Sequence, residues 1–156
     1  MRLTLKKEIT TTNEVIERIE HLKMEDDELK SFLLNTLPVV MEDVIDPDMD
    51  PNKPEIYVNN LFCNRLGDFK RRYIITITND GVSALLLGIR KDDYIHILTV
   101  GVKKDLRRNQ YGEELLKFCM NDMINESISK VVLNTHSDNV PAINLYKKMG
   151  FNIIEE

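Results

Sequence analysis

The sequence predicts an α/β domain built on one mixed sheet, and three observations carry that prediction. Residues 94–102 (Tyr-Ile-His-Ile-Leu-Thr-Val-Gly-Val) are a β-branched, apolar run that feeds a basic turn, after which Tyr111, Leu115, Phe118, Cys119 and Ile124 fall close to helical spacing. Two further β-rich runs, 73–78 and 82–89, flank Asn79-Asp80-Gly81, and an Asp-Gly pair between such runs signals a hairpin. The 156 residues suit one domain over 1–156, long enough to bury a substantial core, and no linker or repeat divides them.

In chain order, residues 2–9 (Arg-Leu-Thr-Leu-Lys-Lys-Glu-Ile) read as a first strand. Thr12 opens a helix signature in which Asn13 is a cap candidate and Val15, Ile16, Ile19 and Leu22 supply an apolar stripe. A second helix begins at Asp26 or Asp27 with Leu29, Phe32 and Leu33 on one face, and it is expected to weaken before Pro38 because a proline pushes the preceding residue out of the helical region. Residues 39–45 either resume the helix or extend. Residues 46–54, with prolines at 47, 51 and 54, are the clearest loop. Pro54 starts a short helix to Leu66, stopped by Gly67.

The hairpin comes next, then a turn at 90–93 and the 94–102 strand. A helix over 110–124, a strand over 131–135, a last helix containing Tyr146 and a short strand after Phe151 complete the chain.

Composition narrows the function. The chain is 42% hydrophobic and 30% charged, with a net charge of −5, which argues against a general nucleic-acid binder because phosphate-backbone binding rests on clustered Lys and Arg. No apolar run approaches the roughly 20 residues that span a bilayer, and the first residues lack a signal-peptide core, so a cytoplasmic protein is expected. Cys63 and Cys119 are far apart and are expected to be buried free thiols; neither they nor His21, His96 and His136 have metal-ligand spacing, so no metal is expected. Acidic residues crowd 25–50, where they form either a solvated helix and loop or an acidic lip that attracts a cationic amine.

The turn after residue 102 is the most informative stretch. A strand-to-helix turn aims unpaired N–H groups and the positive end of the helix dipole at one point, which suits a phosphate. Arg107 and Arg108 add charge there, with Lys103 and Lys104 nearby, and Gly112 lets a ligand approach the first helical turn.

Val102 followed by Arg107-Arg108-Asn109-Gln110-Tyr111-Gly112 resembles the Gln/Arg-x-x-Gly-x-Gly/Ala acyl-CoA motif of the GNAT N-acetyltransferase superfamily, except that Gln110 stands at the first Gly. Asn139, Ala142, Tyr146, Gly150 and Phe151 fit a second family pattern, Asn-x-x-Ala-x-x-x-Tyr-x-x-x-Gly-Phe, whose closest likeness is to N-terminal and ribosomal-protein acetyltransferases. The resemblance covers residues 82–156. It implies the GNAT fold, a central sheet of six or so strands flanked by helices, and, because the chain stops five residues after Phe151, a sheet lacking the usual last strand or completing its pairing in a homodimer.

It also implies a function: transfer of an acetyl group from acetyl-CoA to a primary amine, a peptide N-terminus or a small amine, by direct attack in a ternary complex without metal. The alternative is a non-catalytic acyl-CoA-binding module acting through a protein partner. The resemblance lays the acyl and pantetheine groups along Val100, Gly101 and Val102, with Gly101 fitting a bulge or close backbone approach. The diphosphate falls on Arg107, Arg108, Asn109, Gln110, Tyr111 and Gly112, and Asn139 holds the pantetheine arm. Tyr146 takes the position that protonates the leaving thiolate. The base is harder to read, since Asn134 stands where a carboxylate or imidazole often follows in relatives. Some relatives carry a glutamate or a tyrosine six residues before the closing Val of this strand, a position the resemblance maps onto His96, which strand alternation puts on the face of Leu98, Val100 and Val102. His136 and a water-mediated Asp93 are the other candidates.

Overall fold

Seven strands form one mixed sheet in the computed structural model, which describes residues 1–9 and 18–155. They are β1 (Arg2–Glu8), β2 (Ile19–His21), β3 (Arg72–Thr78), β4 (Val82–Arg90), β5 (Tyr94–Val102), β6 (Lys130–His136) and β7 (Asn152–Glu155). Their order is β2-β3-β4-β5-β6-β1-β7, antiparallel throughout except where β5 and β6 run parallel. The helices are α1 (Asp26–Val40), α2 (Pro54–Phe62), α3 (Tyr111–Asn125) and α4 (Val140–Lys148).

Alternation along the strands builds a core on each side of the sheet. Leu5, Ile75, Ile97 and Leu133 pack with Leu115 and Cys119 of α3 and Tyr146 of α4. On the opposite face, Leu85, Leu87 and Leu98 meet Leu33 and Leu37 of α1 and Tyr57 and Leu61 of α2. The hairpin forms where its turn chemistry placed it: Asp80 and Gly81 have φ of 52° and 98°, conformations that an Asp-Gly pair adopts readily.

Several elements differ from the sequence reading. Thr12 to Ile16 lie outside the described residues, but Ile19–His21, expected in that helix, is a strand paired with β3, with Ile19 buried in the first core. This adds a strand to the six foreseen. Helix α1 runs through Pro38, which lies in the last turn, while burial of Leu37 and Val40 secures the helix end. Helix α2 stops at Phe62, before Gly67. Cys63 is exposed, whereas Cys119 is buried as expected. The short strand after Phe151 is β7, and it takes its pairing from β1 of the same chain.

One irregularity shapes the centre. Leu87 pairs with Thr99 and Gly88 with Ile97, so Leu98 is an extra residue in β5. A bulge of this kind bends the strand and interrupts its alternation. Ile95 and Ile97 face the α3 side; Leu98 packs toward α1 and α2, and Thr99 shares a 2.7 Å hydrogen bond with the Tyr57 hydroxyl of α2; Val100 and Val102 then return to the α3 side.

The bulge is therefore at Leu98 and not at Gly101. The close approach at Gly101 comes from the protein itself: a Cβ there would lie 2.9 Å from the Val40 carbonyl oxygen and 2.9 Å from Met41 Sδ. Gly101→Ala is expected to destabilise the fold by about 1–3 kcal/mol through overpacking, read as a lower urea midpoint at unchanged m-value.

Candidate functional site

Beyond the bulge, β5 and β6 part. Their parallel pairing runs from Tyr94 opposite Lys130 to Ile97 opposite Leu133 and then ends, while β5 continues along β4 and β6 along β1. A cleft of about 530 Å³ opens between them, lined on one side by Val100 and Val102 and on the other by Pro141, Ala142, Leu145 and Tyr146 of α4. Lys103 donates its N–H to Ser83 O on β4. By alternation, the backbone groups of Val100 and Val102 turn to the free edge of β5.

The turn before α3 closes one end of the cleft. Arg108 and Gln110 both adopt left-handed backbone conformations, at φ 69° and 65°. The N–H groups of Arg108 through Glu113 find no acceptor among the described residues; the first bond into the helix is from Glu114 N to Gln110 O. Unpaired donors in such a turn, at the positive end of a 15-residue helix, form a concavity whose electrostatics suit an anion. The left-handed φ at Gln110 gives the physical reason a glycine suits that position; a side chain there costs on the order of 1–2 kcal/mol.

Not every basic residue of the turn is free to meet an anion. Arg107 donates from Nε to Val102 O at 2.9 Å and from Nη2 to Glu42 O at 2.6 Å, stapling the loop after α1 to the end of β5. Lys104 is paired with Asp43 at 2.5 Å. Asn109 donates to Leu106 O within the turn and does not line the cleft. Asn139, at the start of α4, accepts from Ala142 N at 3.3 Å as a helix cap while lining the cleft.

Tyr146 lies where the cleft narrows. It is buried, its ring centroid is 5.7 Å from that of Phe151, and its hydroxyl has no hydrogen-bond partner among the described residues. Burial pushes its pKa up, so it is a neutral phenol at neutral pH.

Of the residues read from the sequence, the cleft brings together Val100, Val102, Arg107, Arg108, Gln110, Tyr111, Gly112, Asn139 and Tyr146. Gly101 faces α1 instead. His96 shares a face with Leu98 but, because of the bulge, not with Val100 and Val102. Its Nε2 lies 2.6 Å from Asn134 Oδ1, an oxygen that also accepts from Arg2, while Asn134 Nδ2 donates to Thr4. The Nε2 proton is thus committed to Asn134, and burial lowers the pKa of the ring.

The sequence reading missed Asp46 as a site residue, treating it as one acid among several in a loop. Asp46 lines a second, much smaller cavity of about 40 Å³ with Thr99, Asn134, Asn139 and Tyr146, and burial pushes its carboxyl up to about 6.

In solved structures, the fold matches the PaiA N-acetyltransferase from Thermoplasma acidophilum in complex with coenzyme A, at a TM-score of 0.68 and 14% identity, covering 88% of this chain and 92% of that one. It also matches the ribosomal-protein-S18-alanine N-acetyltransferase from Escherichia coli, at 0.61 and 18%, covering 86% and 76%. A curated relative, mycothiol acetyltransferase of Corynebacterium aurimucosum, is 35% identical over 60 residues, 38% of this chain but only 20% of that enzyme. The pattern of the acetyltransferase (GNAT) family matches residues 38–151, from the end of α1 to the residue before β7 and so across the whole cleft: the chain belongs to that family.

Proposed function

We propose that the protein transfers an acetyl group from acetyl-CoA to a primary amine by direct attack in a ternary complex. The observation that carries this reading is the row of unpaired N–H groups from Arg108 to Glu113, set at the end of a cleft whose wall is the free edge of β5. The row offers donors to the CoA diphosphate, and Arg108 adds charge beside it. The Val100 backbone and the Val102 N–H offer hydrogen bonds to the pantetheine and to the acyl carbonyl, with Asn139 bordering the same path. In this reading the acyl carbon sits near the narrow end, within reach of the Tyr146 hydroxyl, which protonates the sulfur as it leaves.

The reaction needs the amine to lose a proton before it attacks, a donor set for the developing oxyanion and an acid for the thiolate. His96 retains only its Nδ1 lone pair for accepting a proton, since Nε2 is held by Asn134. The acceptor class is a peptide N-terminus or a small amine.

Isothermal titration with acetyl-CoA, followed by a thiol-release assay over short peptides, polyamines and aminoglycosides, tests the proposal. Saturable binding with CoA release on at least one amine is expected. Binding without turnover on any of them would instead favour a non-catalytic acyl-CoA-binding module.

A further inference from the structure

The two cavities share Val44, Val100, Asn139, Ala142 and Tyr146, so the small one is the inner end of the cleft, beyond the point where the acyl group is proposed to lie. At about 40 Å³ it has room for little more than one group the size of water or a primary amine, whose share of volume is about 30 Å³ for water. Among the described residues, two carboxylates line these spaces. Glu113 is at the diphosphate end, beside Lys148 at 3.4 Å and Lys117 at 3.7 Å. Asp46 is at the inner end, beside Tyr146, and His96 lines neither cavity.

Resting on the acetyl-transfer reading, we infer that Asp46 is the group that receives the proton of the acceptor amine, and that the reacting nitrogen sits at the small cavity it lines. Its loop is held from several sides: Arg2 of β1 pairs with Asp48 at 2.9 Å, Lys104 with Asp43, Arg107 binds Glu42 O, and Asn139 contacts Ile45 O at 3.5 Å. The Asp48 N–H donates to Asp46 Oδ1 at 2.8 Å, fixing the carboxylate plane. A carboxylate held this way is preorganised rather than a mobile surface acid.

The ionisable groups around it act in a definite sense. Burial raises the carboxyl to about 6 and the Asp48 charge adds to this, while the Asp48 and Met49 N–H groups and Arg2 oppose it. Tyr57 of α2 and Tyr146 of α4 also sense the Asp46 charge, and both are neutral phenols. Asp46 is thus a carboxylate at neutral pH and becomes protonated, and unable to accept, as the pH falls through its pKa.

The step balances as follows. The ammonium gives one proton to Asp46, the free amine forms the N–C bond to the acyl carbon, and the C–S bond breaks on collapse. Tyr146 gives its proton to the sulfur and recovers one from the nitrogen through water, and Asp46 returns its proton to solvent. One proton is released per acetyl group transferred.

The test is Asp46→Asn, whose amide oxygen keeps the bond from Asp48 N–H. Turnover at pH 7.5 is expected to fall at least about tenfold, with acetyl-CoA affinity and melting temperature held, and the acidic limb of the kcat profile is expected to disappear. Should that variant not fold, Asp48→Asn serves: removing a like charge and freeing Arg2 lowers the Asp46 pKa, so the limb is expected to move to lower pH. Full turnover with the limb retained in Asp46→Asn, or an unmoved limb in Asp48→Asn, overturns the role of Asp46 while leaving acetyl transfer intact. Absence of turnover by the unmodified protein on every amine overturns the acetyl-transfer reading, and the inference falls with it.

Discussion

Gly112→Asp is expected to weaken acetyl-CoA binding by on the order of 100-fold without loss of fold stability. A Cβ at Gly112 would sit 3.4 Å from Leu145 Cδ2 and 3.9 Å from Val100 Cγ1, which is ordinary contact, so the backbone does not need a glycine there. The added carboxylate would enter the cleft among the N–H groups of Arg108 to Glu113 and take up donors offered to the diphosphate, while repelling its charge. The same carboxylate in the first turn of α3 favours the helix through the dipole, and it replaces a residue of poor helix propensity. Affinity and stability are therefore expected to separate. Titration calorimetry with acetyl-CoA, alongside thermal unfolding, reads both, and Gly112→Ala isolates bulk from charge. Unchanged affinity in the Asp variant would remove the diphosphate from this turn.

Tyr146→Phe is the second change with a large expected effect. Loss of the hydroxyl should lower kcat by on the order of 100-fold, the lower end of what a positioned acid contributes, and leave the dissociation constant for acetyl-CoA unchanged. The separation rests on local structure. The hydroxyl has no hydrogen-bond partner among the described residues, so its removal strands no donor or acceptor, and the ring keeps its packing against Phe151. Because burial raises the phenol above its ordinary pKa, Tyr146 stays protonated through neutral pH and is expected to add no basic limb there. Equal turnover in the variant would assign Tyr146 to packing alone.

The elements legible in the sequence were those fixed by neighbours along the chain. The Asn79-Asp80-Gly81 turn, the strand at 94–102 and the α3 periodicity each express a local rule: a backbone conformation that few residues tolerate, or an apolar repeat matched to one geometry. The donor-rich turn before α3 was legible for the same reason, since a helix start leaves its own first N–H groups unpaired whatever the rest of the chain does.

Tertiary structure decided the rest. Strand β2 forms where a helical stripe was read because the edge of β3 offers pairing and the first core takes Ile19. The bulge at Leu98 turns β5 by one residue, which separates His96 from the Val100 and Val102 face and leaves Gly101 against Val40. No spacing in the sequence announces an extra residue in a strand, since its presence depends on the partner strand's register.

Asp46 shows the difference most clearly. In the sequence it is one of several acids near three prolines; in the fold, β1, α4 and the turn after β5 pin its loop so that this carboxyl, unlike the exposed Asp43, is half-buried and lines a cavity. Local sequence determined the donor-rich turn before α3 and most strands and helices of this protein. Desolvation, which depends on residues distant along the chain, decided which of its acids stands beside the proposed site of chemistry.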